Sequence, residues 1–289
     1  MNNMYKTTTT LLVALAGLFI INACEKDVIL DLADTEGAYV IVEAHITNDG
    51  RRQWVKLSHS SSYYDRGFGD PVSGAEVKIE THDEVFTFSE SLYDSLAGFY
   101  YHDEISEILH DSVLYTLNIT KKDQVFTAES LLKPVPQLDS VTLKINPFSE
   151  QGINTDTVYD IMAHFHDLPT EDNFYLFNYY VNDTLRTERP GQKGLVSDIN
   201  LEEYVSFAVL SINQNRIKDG DRITLEISSI SGEMFEFYDV FFFQTNLSGN
   251  PFAGAPPANI PTNLSEGARG FFQVSALNRK HVVYETIPF

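Results

Sequence analysis

The sequence predicts a mainly β protein, in which an N-terminal immunoglobulin-like or carboxypeptidase-regulatory-like β-sandwich is followed by a second β-rich domain with one helix. Short runs rich in Val, Ile, Thr, Tyr and Phe alternate apolar with polar residues, as half-buried strands do. Clusters of Gly, Asp, Asn and Ser separate these runs at intervals of roughly ten residues, which is typical of antiparallel sheets. The hydrophobic content of 43% is that of a globular chain and not of a disordered one.

The first 23 residues have the features of a secretory signal peptide. The apolar run from Leu11 to Ile21 is as long as a signal-peptide core and too short for the roughly 20 residues that a spanning helix needs. The segment Ile21-Asn22-Ala23-Cys24 resembles the bacterial lipobox. We therefore predict cleavage before Cys24, lipid attachment at its thiol, and an acylated linker over residues 24–36.

The residues that follow the predicted lipid site indicate where in the cell the protein is located. Glu25-Lys26-Asp27 resembles the export tag by which lipoproteins of the Bacteroidota reach the cell surface. The alternative is that these charges only begin a solvated linker. We expect an outer-membrane protein that is held by its lipid anchor and faces the cell exterior.

Residues 37–133 form the predicted sandwich. Its clearest strands are Tyr39 to Ile46, Gln53 to Leu57, Ala75 to Thr81, Val85 to Phe88, Val113 to Thr120 and Gln124 to Leu131. The segment Pro71 to Val77 resembles a turn-into-strand motif that is common in bacterial immunoglobulin-like and carboxypeptidase-regulatory-like modules.

Lys133-Pro134-Val135-Pro136 predicts a stiff hinge, because each proline fixes its own φ and favours extended backbone in the residue before it. We place the domain boundary there and assign residues 134–289 to the second domain. Its predicted strands are Ser140 to Ile145, Val158 to Phe165, Tyr175 to Asn182, Val205 to Asn213, Arg222 to Ser228, Gly270 to Ala276 and Lys280 to Glu285.

One segment of the second domain, residues 231–246, predicts a helix. Phe235, Tyr238 and Phe242 recur at helical spacing, and Ser231 can cap the first turn. The proline-rich stretch from Gly249 to Pro261 predicts a long loop. Because a stiff loop loses little entropy on docking, we expect this loop to contact a partner or its cargo. The alternative is that it packs along its own domain.

Charge and cysteine content exclude several functions. The chain has 41 Asp and Glu against 20 Lys and Arg, a formal charge of -21, and no basic stripe, so nucleic-acid binding is not expected. Its one cysteine can form no intramolecular disulfide and cannot complete a thiolate metal site. We expect no cofactor.

Several motifs occur in an order and spacing that resemble one family. They are Cys24 with its acidic follower, Val40 to Thr47, Pro71 to Val77, Pro134-Val135-Pro136 with Leu138-Asp139-Ser140, Ile230-Ser231, Asn259 to Asn263, and Gly270-Phe271-Phe272. Together they resemble the Bacteroidota lipoprotein family known as domain of unknown function 4249, over essentially the whole mature chain. Genes of that family commonly lie next to a TonB-dependent outer-membrane receptor, so the resemblance implies a surface lipoprotein that works with such a receptor. It supplies no catalytic residues and leaves the ligand open.

Signals for chemistry are weak. His164 and His166 lie two apart in a predicted strand and so share a face, as metal ligands could, but no third ligand is identifiable and surface histidines are the better interpretation. No nucleophile elbow, zinc-binding helix, phosphate loop or EF-hand spacing occurs. We predict that the protein is not an enzyme.

Aromatic residues are the more suggestive feature, because several strands carry them on both faces. These are Tyr63-Tyr64, Phe99-Tyr100-Tyr101, Phe174-Tyr175, Phe177 and Tyr179-Tyr180. Some of them must meet solvent, a partner or a second layer, although burial between layers accounts for more than half.

Five Asp-Ser or Asp-Thr pairs precede an apolar residue, where composition alone gives roughly one or two. The triplet resembles the acceptor of the periplasmic O-glycosylation systems of Bacteroidota. The predicted acceptors are Ser95, Ser112, Ser140, Thr157 and Thr184. The alternative is that these pairs simply begin strands after turns.

We therefore expect a non-enzymatic surface lipoprotein that helps a TonB-dependent receptor capture or import a nutrient. The alternatives are a free-standing glycan- or peptide-binding surface lipoprotein and, third, an extracellular hydrolase.

Overall fold

The computed structural model describes residues 39–61, 69–105, 109–149, 157–168, 172–199, 204–246 and 260–285. The predicted signal peptide, Cys24, the linker and most of the loop from Gly249 lie outside these residues. Within them the chain forms sixteen strands and one α-helix, which confirms the predicted mainly β class. In the described ranges, no helix combines the length and apolar character that crossing a bilayer requires.

Eight strands form the first sheet in the order β15-β1-β2-β5-β4-β3-β6-β7. Their bounds are β1 Val40–Thr47, β2 Gln53–His59, β3 Glu76–Glu80, β4 Val85–Glu90, β5 Phe99–His102, β6 Leu114–Lys121, β7 Gln124–Leu131 and β15 Ala268–Ser275. β1 and β15 run parallel, and the other neighbours are antiparallel. Buried side chains from the two end strands of this order, such as Phe272 of β15 and Phe126 of β7, share one core, so the sheet folds over on itself as a sandwich.

The remaining strands form two smaller sheets. β8 Leu138–Ile145, β9 Val158–His166 and β13 Tyr204–Asn213 pair in the order β13-β9-β8, and β10 Phe174–Val181, β11 Thr184–Leu185, β12 Gly194–Ser197, β14 Arg222–Ile230 and β16 Leu277–Val283 form the other. Phe165 and Ile161 from the first of these sheets share a core with Phe177 and Ile223 from the second. The two sheets therefore enclose a second apolar core.

The predicted boundary at residue 134 falls between strands that belong to different cores, and Val135 packs against both cores. The chain returns to the first sheet near its end, because β15 pairs with β1. The division into two domains stays a prediction.

The one described helix, α1 (Gly232–Asn246), confirms the helix predicted over residues 231–246. The Ser231 hydroxyl accepts a hydrogen bond of 3.1 Å from the Met234 backbone N–H, which satisfies a donor that the first turn leaves unpaired. Met234 and Tyr238 pack against Leu176 of β10 and Phe271 of β15. The helix therefore packs against β15 of the first sheet and β10 of the five-stranded sheet.

Candidate ligand-binding cleft

The floor of a cleft is formed by β1 and β15 on the outer face of the first sheet. Residues along a strand point alternately to its two faces, so Val42 enters the core while Ile41, Glu43 and His45 point outward into the cleft. The parallel register sets Arg269 beside Ile41 and Phe271 beside Glu43. The floor is thus partly apolar and carries charge of both signs.

Helix α1 supplies the wall of the cleft. Phe237, Tyr238 and Phe241 line it, and the ring of Phe237 packs 5.3 Å from that of Phe271 and 6.1 Å from that of Phe241, measured between centroids. Ile260 and Pro261, the described end of the predicted loop, also line the cleft. Its volume is about 790 Å³, within the range of small-molecule sites.

Gly270 allows the two floor strands to lie this close. Its φ is +103°, and a Cβ atom there would lie 2.0 Å from the carbonyl oxygen of Val42. Only glycine accepts both this backbone conformation and this approach. The backbone conformation and the close approach to Val42 therefore explain why glycine begins the Gly270-Phe271-Phe272 motif.

The motif before β15 covers the free edge of that strand. The Asn263 side chain donates to the Phe272 carbonyl at 2.7 Å and accepts from the Phe272 N–H at 3.1 Å. The Thr262 hydroxyl donates to the Gly270 carbonyl at 2.8 Å. These bonds satisfy backbone groups that an open edge would expose.

Two polar groups face the cleft without a strong partner. The Arg269 guanidinium lies 4.4 Å above the Tyr39 ring and donates to the adjacent Ala268 carbonyl at 2.8 Å, but no described carboxylate lies within ion-pair distance of it. The Tyr238 side chain is only 9% exposed, and its hydroxyl has no hydrogen-bond partner among the described residues. Burial, reinforced by the charge of Glu43, raises the pKa of Tyr238 to about 12.

An aromatic row runs from the cleft along β2 and β5; it consists of Trp54, Phe99 and Tyr101. Trp54 lines the cleft and is 38% exposed. Its ring meets the edge of Phe99 at 5.4 Å between centroids, and Phe99 stacks on Tyr101 at 6.1 Å. Arg52 lies 5.3 Å above Tyr101 and Lys56 lies 5.7 Å from Phe99, so cations already occupy part of this row.

His45 joins the cleft to a buried polar network. Its Nε2 lies 3.0 Å from the Ser275 hydroxyl. Burial, and then the nearby charge of Lys193, lowers the pKa of His45 to about 4. The imidazole is therefore neutral at neutral pH.

The network centres on Glu226, which is 4% exposed. Its carboxylate accepts from Arg279 Nε at 2.8 Å and from Asn178 at 3.0 Å. Lys193 donates to the side-chain amide oxygen Oδ1 of Asn178 at 2.8 Å, and burial lowers the pKa of Lys193 to about 8. Arg279 also reaches Asp49 at 3.3 Å. These contacts join the turn after β1 to β10, β14 and β16.

Residues 25–281 match the model of one family, described as Domain of unknown function (DUF4249). The chain belongs to this family. The predicted membership of domain of unknown function 4249 is thereby confirmed, whereas the lipoprotein character and the Bacteroidota origin stay predictions.

Solved structures that resemble this DUF4249 chain do so remotely. The FN1-FN3 domains of chicken CNTN1 share 14% identity over 65% of this chain and 59% of theirs, with a TM-score of 0.25. A Ca²⁺-stabilized adhesin that helps an Antarctic bacterium bind ice shares 13% over 67% and 45%, with a TM-score of 0.23. The chain thus spans less than two thirds of the length of either structure. No curated protein matches the sequence.

The two histidines weighed as metal ligands lie on the outer face of the sheet formed by β8, β9 and β13, as predicted. The ring nitrogens of His164 contact Thr142 at 2.9 Å and Ser206 at 3.0 Å. His166 contacts Asp139 at 3.0 Å. Among the described residues no group of three or more His, Cys, Asp or Glu is placed to hold a metal ion.

The predicted O-glycosylation acceptors are accessible to different degrees. Thr157 is half-buried, and the other four are exposed: Ser95, Ser112, Ser140 and Thr184. Ser112 has a positive φ of 64° in the turn before β6. Modification of these residues stays a prediction.

The aromatic pairs divide between the core and the surface. Tyr175 and Phe177 of β10 are buried in the second core, whereas Leu176 points to the opposite face and packs under α1. This strand is therefore covered on both sides. The Tyr63-Tyr64 pair lies outside the described residues.

Sequence patterns alone missed the residues of the cleft. Trp54, Tyr238 and Arg269 lie far apart in the chain, and in the sequence Tyr238 contributes only to the helical spacing. The available signal was Gly270 within a predicted strand, because such a glycine often marks a close backbone approach.

Proposed function

We propose that this protein is a non-enzymatic, surface-exposed outer-membrane lipoprotein that captures a nutrient in its cleft as an accessory to a TonB-dependent receptor. The cleft between β1, β15 and α1 is the observation that carries the binding role. Its volume of about 790 Å³, its aromatic wall and its few polar groups are those of a small-molecule site.

The membrane location and the partner rest on the sequence. Cys24 follows a short apolar core in a lipobox-like segment, and diacylation or triacylation gives firm membrane attachment. The receptor is inferred because genes of the DUF4249 family commonly lie next to the gene of a TonB-dependent receptor. The proposed order is capture of the nutrient in the cleft and transfer to the receptor.

The chemistry of the cleft favours binding over catalysis. Its described lining contains no Ser, Thr or Cys nucleophile. Glu43 is held in an ion pair with Lys56 at 2.7 Å, and the lowered pKa of His45 makes it a weak base, since efficient general bases have a pKa near the working pH.

Co-purification from detergent-solubilised outer membranes of the native host tests the partnership. Tagged wild-type protein should bring down a TonB-dependent receptor, and the Cys24→Ala variant, expected to lack the anchor, should not. A wild-type protein that is purified alone, yet binds its ligand, would instead be the free-standing binding module that the aromatic row would suit. Turnover of a substrate that is lost on replacing an acidic residue would support the hydrolase.

A further inference from the structure

We propose that the ligand of the cleft is a small molecule with an apolar body and a single carboxylate, and that Arg269 and Tyr238 hold this carboxylate. The proposal deepens the proposed function and rests on the cleft being a ligand site. It follows from which lining groups are already paired and which are not.

Arg269 is the cation of the cleft that has no carboxylate partner among the described residues. The chain has a formal charge of -21, and other arginines are held by acids, such as Arg279 by Glu226 and Arg222 by Asp183, each at 2.5 Å. Arg269 is half-buried beside Tyr39 and lines the cleft, and no described carboxylate pairs with it. A guanidinium binds a carboxylate through two parallel N–H bonds, so a ligand carboxylate would complete this site.

Tyr238 gives an independent indication of a polar ligand atom. Its side chain is nine-tenths buried and lines the cleft, and none of the described residues bonds its hydroxyl. The hydroxyl is not one of the buried side-chain atoms that lack a partner among the described residues, so it is open to the cleft and can bond an acceptor atom of a ligand. Because the pKa of this hydroxyl is raised, it keeps its proton at neutral pH and can donate to a carboxylate.

The other charged groups limit the ligand to one negative charge. Glu43 is the acid of the floor, and its charge is offset by Lys56. His45 is neutral, as its pKa of about 4 requires. Arg269 therefore remains the single unpaired cation among the described lining residues, so a second carboxylate would have no cation of its own there.

The apolar lining of the cleft indicates the chemistry of the ligand's apolar part. Phe237, Phe241 and Phe271 form an aromatic wall and floor, and Ile41 and Ile260 add aliphatic surface. Both an aliphatic chain and an aromatic ring gain free energy by leaving water for such surfaces. The shared chemistry is thus an apolar monocarboxylate, and the experiment separates its aliphatic and aromatic forms.

Trp54 is the only tryptophan of the chain and lines the cleft, so its fluorescence reports occupancy directly. The full acylated protein in maltoside micelles would be titrated with octanoate and 4-phenylbutyrate, and with their neutral amides. We expect each acid that binds to exceed its amide in affinity by roughly 10-fold or more, the usual effect of a charge-assisted hydrogen bond. The acid with the higher affinity identifies the aliphatic or aromatic form.

Three variants test the assigned residues. Arg269→Gln should remove the preference for acid over amide, and Arg269→Lys should restore part of it. Tyr238→Phe should weaken acid binding several-fold, the usual effect of one hydrogen bond. Arg222→Gln, which breaks an exposed ion pair outside the cleft, is the matched control and should change neither.

Two results would overturn different parts of the account. If amides bind as tightly as acids, or Arg269→Gln binds the acids normally with an unchanged melting temperature, the carboxylate proposal is wrong while the cleft remains a ligand site. If no acid or amide changes Trp54 emission and protein from the native host carries no small molecule, both the carboxylate proposal and the binding role fail.

Discussion

Replacing Gly270 with alanine is the sharpest test of how the cleft floor is built. A side chain at a φ of +103° adopts a left-handed backbone, which costs about 1 to 2 kcal/mol. The new Cβ atom would also lie 2.0 Å from the Val42 carbonyl oxygen, so β15 and β1 must separate, which adds about 1 to 3 kcal/mol by analogy with overpacked cores. We expect Gly270→Ala to lower the free energy of unfolding by about 2 to 5 kcal/mol.

Gly220→Ala is the matched control for this experiment. Gly220 has a φ of +85°, but no atom lies within 4 Å of the added Cβ, so it carries only the backbone cost. The smaller entropy of an unfolded chain with alanine affects both variants alike. Their difference, expected to be about 1 to 3 kcal/mol, isolates the close approach of the two strands.

Urea unfolding followed by far-UV circular dichroism and Trp54 fluorescence measures both variants. A Gly270→Ala variant that is destabilised no more than Gly220→Ala would refute the close approach of β1 and β15. Unchanged affinity of Gly270→Ala for the cleft ligand would refute the role of that approach in building the cleft floor.

Three further predictions concern protonation, anchoring and modification. The pKa of His45 is lowered to about 4 in the folded protein, so between about pH 4 and 6.5 the unfolded chain binds more protons and the free energy of unfolding rises with pH. His45→Gln should reduce this rise by about 2 to 3 kcal/mol, measured as the difference between the unfolding free energies at pH 4.5 and 7. An equal rise in wild type and variant would contradict this prediction. Cys24→Ala should yield an uncleaved or soluble precursor, and recovery of the variant in the membrane at normal size and mass would show that Cys24 is not the lipid site. Protein from the native host should exceed the mass of polypeptide plus lipid by glycans on some of Ser95, Ser112, Ser140, Thr157 and Thr184, and an intact mass without this excess would exclude them.

The strands that sequence could predict were those with local signals. β1, β7 and β14 alternate apolar and polar residues over most of their length, and α1 was identified by its cap and spacing despite the strand-like Phe241-Phe242-Phe243 run. β11 and β12 were missed because they span only two and four residues, and β5, also of four residues, was indicated only by its aromatic triplet. Their pairing with longer strands, and not an internal pattern, keeps them extended.

The cleft could not be predicted because its surfaces meet through distant pairing. β1 and β15 are separated by more than 200 residues, yet they form a parallel pair, and no local pattern specifies that partner. Of the predicted loop from Gly249, the two described residues, Ile260 and Pro261, line the cleft. The sequence could not show that Arg269 lacks an acidic partner among the described residues, because this depends on where the Asp and Glu side chains lie in the fold.

Native mass spectrometry of the acylated protein isolated from the outer membrane of its host tests the central claim most directly. Wild-type protein should carry a small molecule in addition to its polypeptide, lipid and any glycans. Ile41→Trp, which places a larger side chain into the cleft floor, should lose that molecule and keep its melting temperature. A wild-type protein without bound mass, or an Ile41→Trp variant that carries the same molecule, would contradict the assignment of this cleft as the site of nutrient capture.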